Sequence, residues 1–509
     1  MLHDLRAVNM VIEPMGALQP GLPSPTMLPA NWPLTVIDVK DCFISIPLHP
    51  EDAPRFAFSL PSINHATPML RYHWVVLPQG MKNSPTICQA AVAGALQPAR
   101  RKFPDAIIYH YMDDILIAAG QQQILHEVTN AVMHHLHLAG LQIAPEKVQR
   151  KPPWLYLGWR ITQHAIRPQP VQLQLSDVVT LNDLQKILGA INWLRPVLGL
   201  PKELLHPLFE MLKGDTSLTS NRTLTPEAKK ALQLCARALE ERQGWRHDFS
   251  LPFSLALIAN RFQPFAVLFQ WDTKNKDPLH ILEWIFLSHT PPKTLWTLTE
   301  MYAKLIIKGQ ERLQTMNACD PEVIYIPATT ENLNWLLSED WGFQIALADF
   351  TGQLSIHYPQ HKLWAEAGSL PLVTQRHCRP VPVPGLTVFT DASGRSKKAA
   401  ITWQDPVTQQ WKTAVHAQEP GSVQVLEMVA VHMAFELCAN EPVNVVTDSC
   451  YATGVVQRLE ASFLCEVSNP LLFAELYTLW TLINHRKHDF YVLHVRSHTD
   501  LVGPIAEGN

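Results

Sequence analysis

The stretch "YHYMDDILIA", residues 109–118, sets two adjacent aspartates, Asp113 and Asp114, between two apolar runs. Its simplest geometry is a tight hairpin with the aspartates at the turn, where Asp is a common residue. Upstream, Asp38 interrupts a second apolar strand, "PLTVIDVKDCFISIPL", residues 33–48. A carboxylate inside a buried strand is costly unless a charge partner or a metal accompanies it. Side by side, the two strands would gather Asp38, Asp113 and Asp114, a set that neutralises itself by binding hard divalent cations through oxygen. Two such cations, about 4 Å apart, activate an attacking hydroxyl and stabilise the leaving oxygen in an in-line phosphoryl transfer.

Around this core the chain changes character several times. Residues 1–165 alternate β-rich runs ("RYHWVVLPQG", "WLYLGWRI") with two helical stretches, "SPTICQAAVAGALQPARRKF" and "QILHEVTNAVMHHLHLAG". The second repeats Ile124, Val128, Val132 and Leu136 at helical spacing, which together describe a sheet with helices packed on it. Residues 166–250 turn helical, with "LNDLQKILGAINWLRPVLGL" expected to end at Pro196 and Pro201. Residues 251–378 are mixed and rich in tryptophan. The proline cluster "RPVPVPG", 379–385, reads as a stiff linker into a last unit reaching residue 509.

Length and composition limit the function. The chain has 509 residues, 47% hydrophobic, with 41 Lys and Arg against 45 Asp and Glu, a formal charge of −4. Such a balance argues against a chain held on nucleic acid by bulk charge, so any basic surface is local. The eight cysteines form no Cys-x-x-Cys pair and read as reduced, mostly buried thiols. No apolar run is long enough to span a bilayer and the N-terminus is not a signal peptide, so an intracellular location without membrane contact is expected.

"TVIDVKDCFISIPL", "LPQGMKNSPTICQ", "YMDD" and "YLGW", in this order and at these separations, resemble retroviral Pol reverse transcriptases. The resemblance is closest to the betaretroviral group and its endogenous relatives, with alpharetroviruses next. "LHDLRAVN", "LNDLQKILGAINWLRP" and "HVRSHT" extend it over essentially the whole chain. It implies an α+β multidomain protein: partial fingers and palm over 1–165, thumb over 166–250, connection over 251–378 and an α/β RNase H-like domain over 379–509.

The resemblance also assigns roles. Asp38, Asp113 and Asp114 would hold two Mg²⁺ ions, with Mn²⁺ as a substitute, and Tyr111 and Met112 would lie under the primer terminus. Phe43 resembles a steric gate that selects deoxynucleotides; Gln79 and Gly80 would contact the incoming deoxynucleoside triphosphate; Leu157 and Gly158 would form part of the primer grip; Arg6 would touch the template. Asp391 at the end of "LTVFTD", Glu427 in the helix "VLEMVAVHMAFEL" and Asp448 at the end of "VNVVTD" resemble the RNase H carboxylates, which hold two Mg²⁺ and hydrolyse the RNA strand of an RNA–DNA hybrid. His498 matches the histidine that assists product departure there.

The implied partners are an RNA template, a DNA primer, their hybrid and, at the protein level, a homo- or heterodimer mate. Two departures stand at the ends. The family carries a fingers segment before "MLHDLRAVN" and a fourth RNase H carboxylate after "AEGN". The sequence therefore carries three readings: an active polymerase with RNase H, a folded nucleic-acid-binding remnant that turns over poorly, and a decayed product that does not fold stably. The hydrophobic periodicity and motif order kept along all 509 residues argue against the last.

Overall fold

The computed structural model describes residues 3–19, 21–170, 178–260, 263–288, 294–365, 376–417 and 422–496. The chain divides into two compact units, Met1–Ser254 with Val267–Trp284 and Arg312–Glu322, and Leu255–Ala266 with Ile285–Glu311 and Val323–Asn509.

The first unit opens with helix α1 (Arg6–Val11), strand β1 (Leu34–Lys40) and the one-turn helix α2 (Cys42–Ser45). A hairpin, β2 (Ala57–Leu60) and β3 (Leu70–His73), precedes helix α3 (Ser84–Lys102), strands β4 (Ile107–Tyr111) and β5 (Asp114–Ala118), helix α4 (Gln122–Leu138) and strand β6 (Gln142–Ile143). Strands pair in the order β4-β5-β1-β6, antiparallel throughout. The long apolar runs are explained by burial of both sheet faces. Ile37, Val39, Ile115 and Ile117 pack with α3 and α4, while Leu34, Val36, Leu116 and Ala118 pack under a second core.

That second core is capped by the hairpin β7 (Trp154–Tyr156) and β8 (Trp159–Ile161), so "WLYLGWRI" is two strands rather than one. Helix α5 (Leu181–Leu198) joins the same core; Thr180 and Asp183 cap its start reciprocally. Pro196 does not end it. The helix runs through Pro196 to Leu198 and stops at Gly199, whose φ of +62° suits glycine and lies against the Trp284 indole. On α4 the core position is Leu125, whereas Ile124 stays 39% exposed, a shift of one residue in the helical face expected from spacing.

The second unit contains a five-stranded sheet in the order Trp411–Ala417, Lys398–Gln404, Leu386–Ser393, Val443–Thr447, Phe490–His494. The first three strands are antiparallel, and Leu386–Ser393, Val443–Thr447 and Phe490–His494 run parallel, joined through the helices Val423–Leu437, Cys450–Leu459 and Pro470–Asn484. Val423–Leu437 buries residues all round its first half, Glu427 included, as expected of a helix apolar on every side rather than on one stripe. "RPVPVPG" is not a free linker here. Val383 is buried and exchanges hydrogen bonds with the Asn444 side chain (2.8 and 2.9 Å), so the segment lies docked on the unit.

Candidate active sites

The register of β1 against β5 places Asp38 opposite Asp114. Tyr111 pairs with Asp114 across the β4–β5 hairpin, which leaves Met112 and Asp113 as the two turn residues. The expected hairpin is present, but only the first aspartate sits in its turn; Asp114 already begins the strand. Met112 takes φ +52°, uncommon for a residue with a side chain and costly unless its surroundings fix it. They do so from two sides: the Val39 N–H donates to the Asp113 carbonyl (2.9 Å), and the Met112 N–H donates to Gln89 Oε1 on α3 (2.6 Å).

Electrostatics follow from this packing. Burial, then the charges of Asp113 and Asp38, push the Asp114 carboxyl up to about 6. Lys147 pulls the other way and donates from Nζ to both Asp38 oxygens (2.9 and 3.1 Å). One ammonium therefore faces three carboxylates, and negative charge remains at the strand end. Among the described residues no three His, Cys, Asp or Glu side chains stand close enough to share a metal ion; Asp38 is instead turned onto Lys147. The donor chemistry fits a hard divalent cation, with the lysine ammonium standing in for one.

Around this centre Phe43 is half-buried against the α3–α4 core, as is Met112, and Tyr111 is half-buried on β4. Gln79 and Gly80 lie exposed in a loop where Gly80, φ +89°, accepts a hydrogen bond from Asn9 Nδ2 (2.8 Å). Leu157 and Gly158 form the two-residue β7–β8 turn, with φ +48° and +80°. Two positive φ values suit a turn matching the strand twist, yet Leu in the first position is strained, a local cost characteristic of functional turns. Arg6 is 90% exposed and paired with Asp4 (2.7 Å).

In the second unit Thr390 and Thr447 are register partners on parallel strands, so Asp391 and Asp448, each one residue on, emerge at the same sheet end. Asp391 is exposed, with Oδ1 accepting from the Ala392 N–H (2.8 Å). Glu427 is 9% exposed, and its Oε2 is buried without a hydrogen-bond partner. Burial, then Asp448 and Asp391, push its carboxyl up to about 7. A buried acceptor beside two further carboxylates is the environment a divalent cation completes. His498 lies outside the described residues. His494 Nε2, by contrast, stands 3.1 Å from the Asp448 carbonyl.

Sequence reasoning missed Lys147 and Gln89. Lys147 is 109 residues from Asp38 and carries no local signal; Gln89 closes the quoted "SPTICQ" but has the look of any helical glutamine. Replacing Gln89 with Ala should remove the bond to the Met112 N–H and lower stability by about 1 kcal/mol. Thermal melting checks it, and an unchanged melting temperature would remove this hydrogen bond from the account of the turn.

Comparison with known proteins gives the same architecture. Residues 1–161 match the family "Reverse transcriptase (RNA-dependent DNA polymerase)", 168–233 the "Reverse transcriptase thumb domain", 261–364 an "ERVK-8-like, RNaseH-like domain" and 384–509 "RNase H". The whole chain aligns at 42% identity with the Gag-Pro-Pol polyprotein of squirrel monkey retrovirus, at 39% with that of mouse mammary tumor virus (strain BR6) and at 40% with that of sheep pulmonary adenomatosis virus. It spans 27, 28 and 29% of their respective lengths. Among the described residues no helix is long and apolar enough to cross a membrane. With the YMDD hairpin in register with Asp38 and the second carboxylate set at the end of a parallel sheet, the chain belongs to the retroviral Pol reverse transcriptase/RNase H family, alongside betaretroviral Gag-Pro-Pol relatives.

Proposed function

We propose that the chain is an RNA- and DNA-directed DNA polymerase that also hydrolyses the RNA strand of RNA–DNA hybrids. The observation that carries this reading is the pairing of Asp38 with Asp114 beside the Met112–Asp113 turn. Asp38, Asp113 and Asp114 would hold one pair of Mg²⁺ ions and Asp391, Glu427 and Asp448 another, with Mn²⁺ as a substitute. When bound, these ions supply Lewis acidity to the attacking hydroxyl or water and to the leaving oxygen.

The side chains do the rest. Lys147 neutralises Asp38. Tyr111 and Met112 support the primer terminus, Leu157 and Gly158 orient its backbone, Gln79 and Gly80 meet the deoxynucleoside triphosphate, and Arg6 meets the template. The hybrid is followed through phosphates and 2′-hydroxyls rather than base edges, which suits a chain of net charge −4 with only local basic surface. His498 assists release of the cleaved strand. We extend the proposal to palm, thumb, connection and RNase H boundaries near 165, 250 and 378, to a homo- or heterodimer, and to action in the virion or cytoplasm.

Phe43 is assigned to exclusion of the 2′-hydroxyl. Phe43→Val should raise the ratio of ribonucleotide to deoxynucleotide incorporation by roughly tenfold to a hundredfold, since the wall that rejects the extra oxygen is gone. Competition between the two nucleotide classes in one primer-extension reaction measures it; an unchanged ratio would assign Phe43 to packing alone. The function as a whole is tested by one mixture of primed RNA template, deoxynucleotides and Mg²⁺, in which DNA growth and RNA loss are followed together. Binding of the hybrid with neither process would support a nucleic-acid-binding protein instead.

A further inference from the structure

Beside the Asp113 turn lie two thiols that the polymerase chemistry does not use. Cys42 opens α2 and Cys88 lies in the second turn of α3; they are 4% and 0% exposed, and their Sγ atoms stand 2.9 Å apart. We propose that Cys42 and Cys88 form a modification site, a dithiol that a peroxide oxidises to an intramolecular disulfide, which reversibly shuts the neighbouring polymerase centre. The shutting rests on the function proposed above; the bond itself does not.

A disulfide needs its sulfurs about 2.05 Å apart, so the pair must close by only about 0.9 Å. Their neighbours make that small movement consequential. Cys42 directly precedes Phe43, and Cys88 directly precedes Gln89, which accepts the Met112 N–H at 2.6 Å. Closure therefore draws together the elements carrying the gate and the support of the YMDD turn. Misplacement on the order of 1 Å can cost about a hundredfold in rate.

The hydrogen bond between the two thiols couples their ionisation, and burial and the Asp113 charge oppose it. Cys88 is taken as the nucleophile, and the reverse order gives the same disulfide. The Cys88 thiolate attacks a peroxide oxygen, breaking the O–O bond and giving a sulfenic acid and one water after protonation. The Cys42 sulfur then displaces the sulfenic oxygen as a second water, forming the S–S bond. Two thiols are oxidised by two electrons and one peroxide is reduced to two waters. Burial admits so small an oxidant more readily than a bulky disulfide.

Hydrogen peroxide is added to the folded full chain, the reaction is stopped with an alkylating agent, and the cysteine peptides are mapped by mass. Primer extension and hybrid cleavage are measured alongside, before and after dithiothreitol. The peptides carrying Cys42 and Cys88 should be joined and lighter by two hydrogens. Extension should fall by roughly tenfold to a hundredfold, recover on reduction, and be insensitive to peroxide in Cys88→Ala, while hybrid cleavage persists. Exposed Cys450 reports that oxidant was present. Oxidised Cys450 with Cys42 and Cys88 unjoined would overturn the site. A joined pair in a chain that extends normally would overturn the switch. A joined pair in a chain that never extends a primer would uphold the dithiol site and refute the polymerase reading.

Discussion

Primer extension falls on the order of 10³-fold when Asp113 and Asp114 are both replaced by Asn, and the melting temperature does not fall with it. Both outcomes have one cause. Asp114 is half-buried and repelled by Asp113 and Asp38, so burial and then these two charges push its carboxyl up to about 6. Removing two of these charges relieves the repulsion, leaves the Lys147–Asp38 pair intact and deletes the oxygens that would bind cations. Cleavage of the RNA strand should persist, because its carboxylates belong to another sheet. Extension and cleavage rates together with calorimetry check this; substantial extension by the double variant would place the chemistry elsewhere.

Glu427→Gln has the corresponding effect on the second centre: hybrid cleavage falls on the order of 10³-fold while extension continues. It also changes the response to pH in a predictable direction. The folded carboxyl is pushed from an unperturbed 4.5 up to about 7, so between these values the folded chain keeps a proton that the unfolded chain has lost. Stability therefore declines as pH rises through this window, by at most about 3 kcal/mol from this group. Asp114, shifted from 3.8 to about 6, acts with the same sign. The Gln variant should match the parent near pH 4.5 and melt higher at pH 8, and Mg²⁺ should raise the parent's melting temperature more than the variant's. Parallel pH profiles for parent and variant would refute the buried-carboxylate explanation.

The parts legible in sequence are those where local pattern and global packing agree. Asp38 and the Asp113–Asp114 pair stand out because charge inside an apolar strand is an anomaly, and the β1–β5 pairing explains it. Helix α4 shows in its apolar spacing, and α3 and α5 stand out as helical stretches, whereas the Thr180–Asp183 cap of α5 emerges only in the structure. What was illegible depended on contacts distant in sequence or on a choice between equally good local forms. Lys147 reaches Asp38 across 109 residues. Pro196 looks like a stop but sits inside a helix whose stop is a left-handed glycine three residues on. "RPVPVPG" has a linker's composition, yet one buried Asn444 holds it to the unit. The edge strand Trp411–Ala417 is mostly exposed and carries little apolar alternation, so pattern alone did not separate it from a loop.

The most direct test of two carboxylate centres built for phosphoryl transfer is a Mg²⁺ titration of DNA primer extension on an RNA template by the 509-residue chain. The account predicts that extension is absent without the ion, rises with it to saturation, and stays on the order of 10³-fold lower at every concentration in the Asp113→Asn, Asp114→Asn chain. A folded parent chain that binds the hybrid and extends nothing at saturating Mg²⁺ would contradict it.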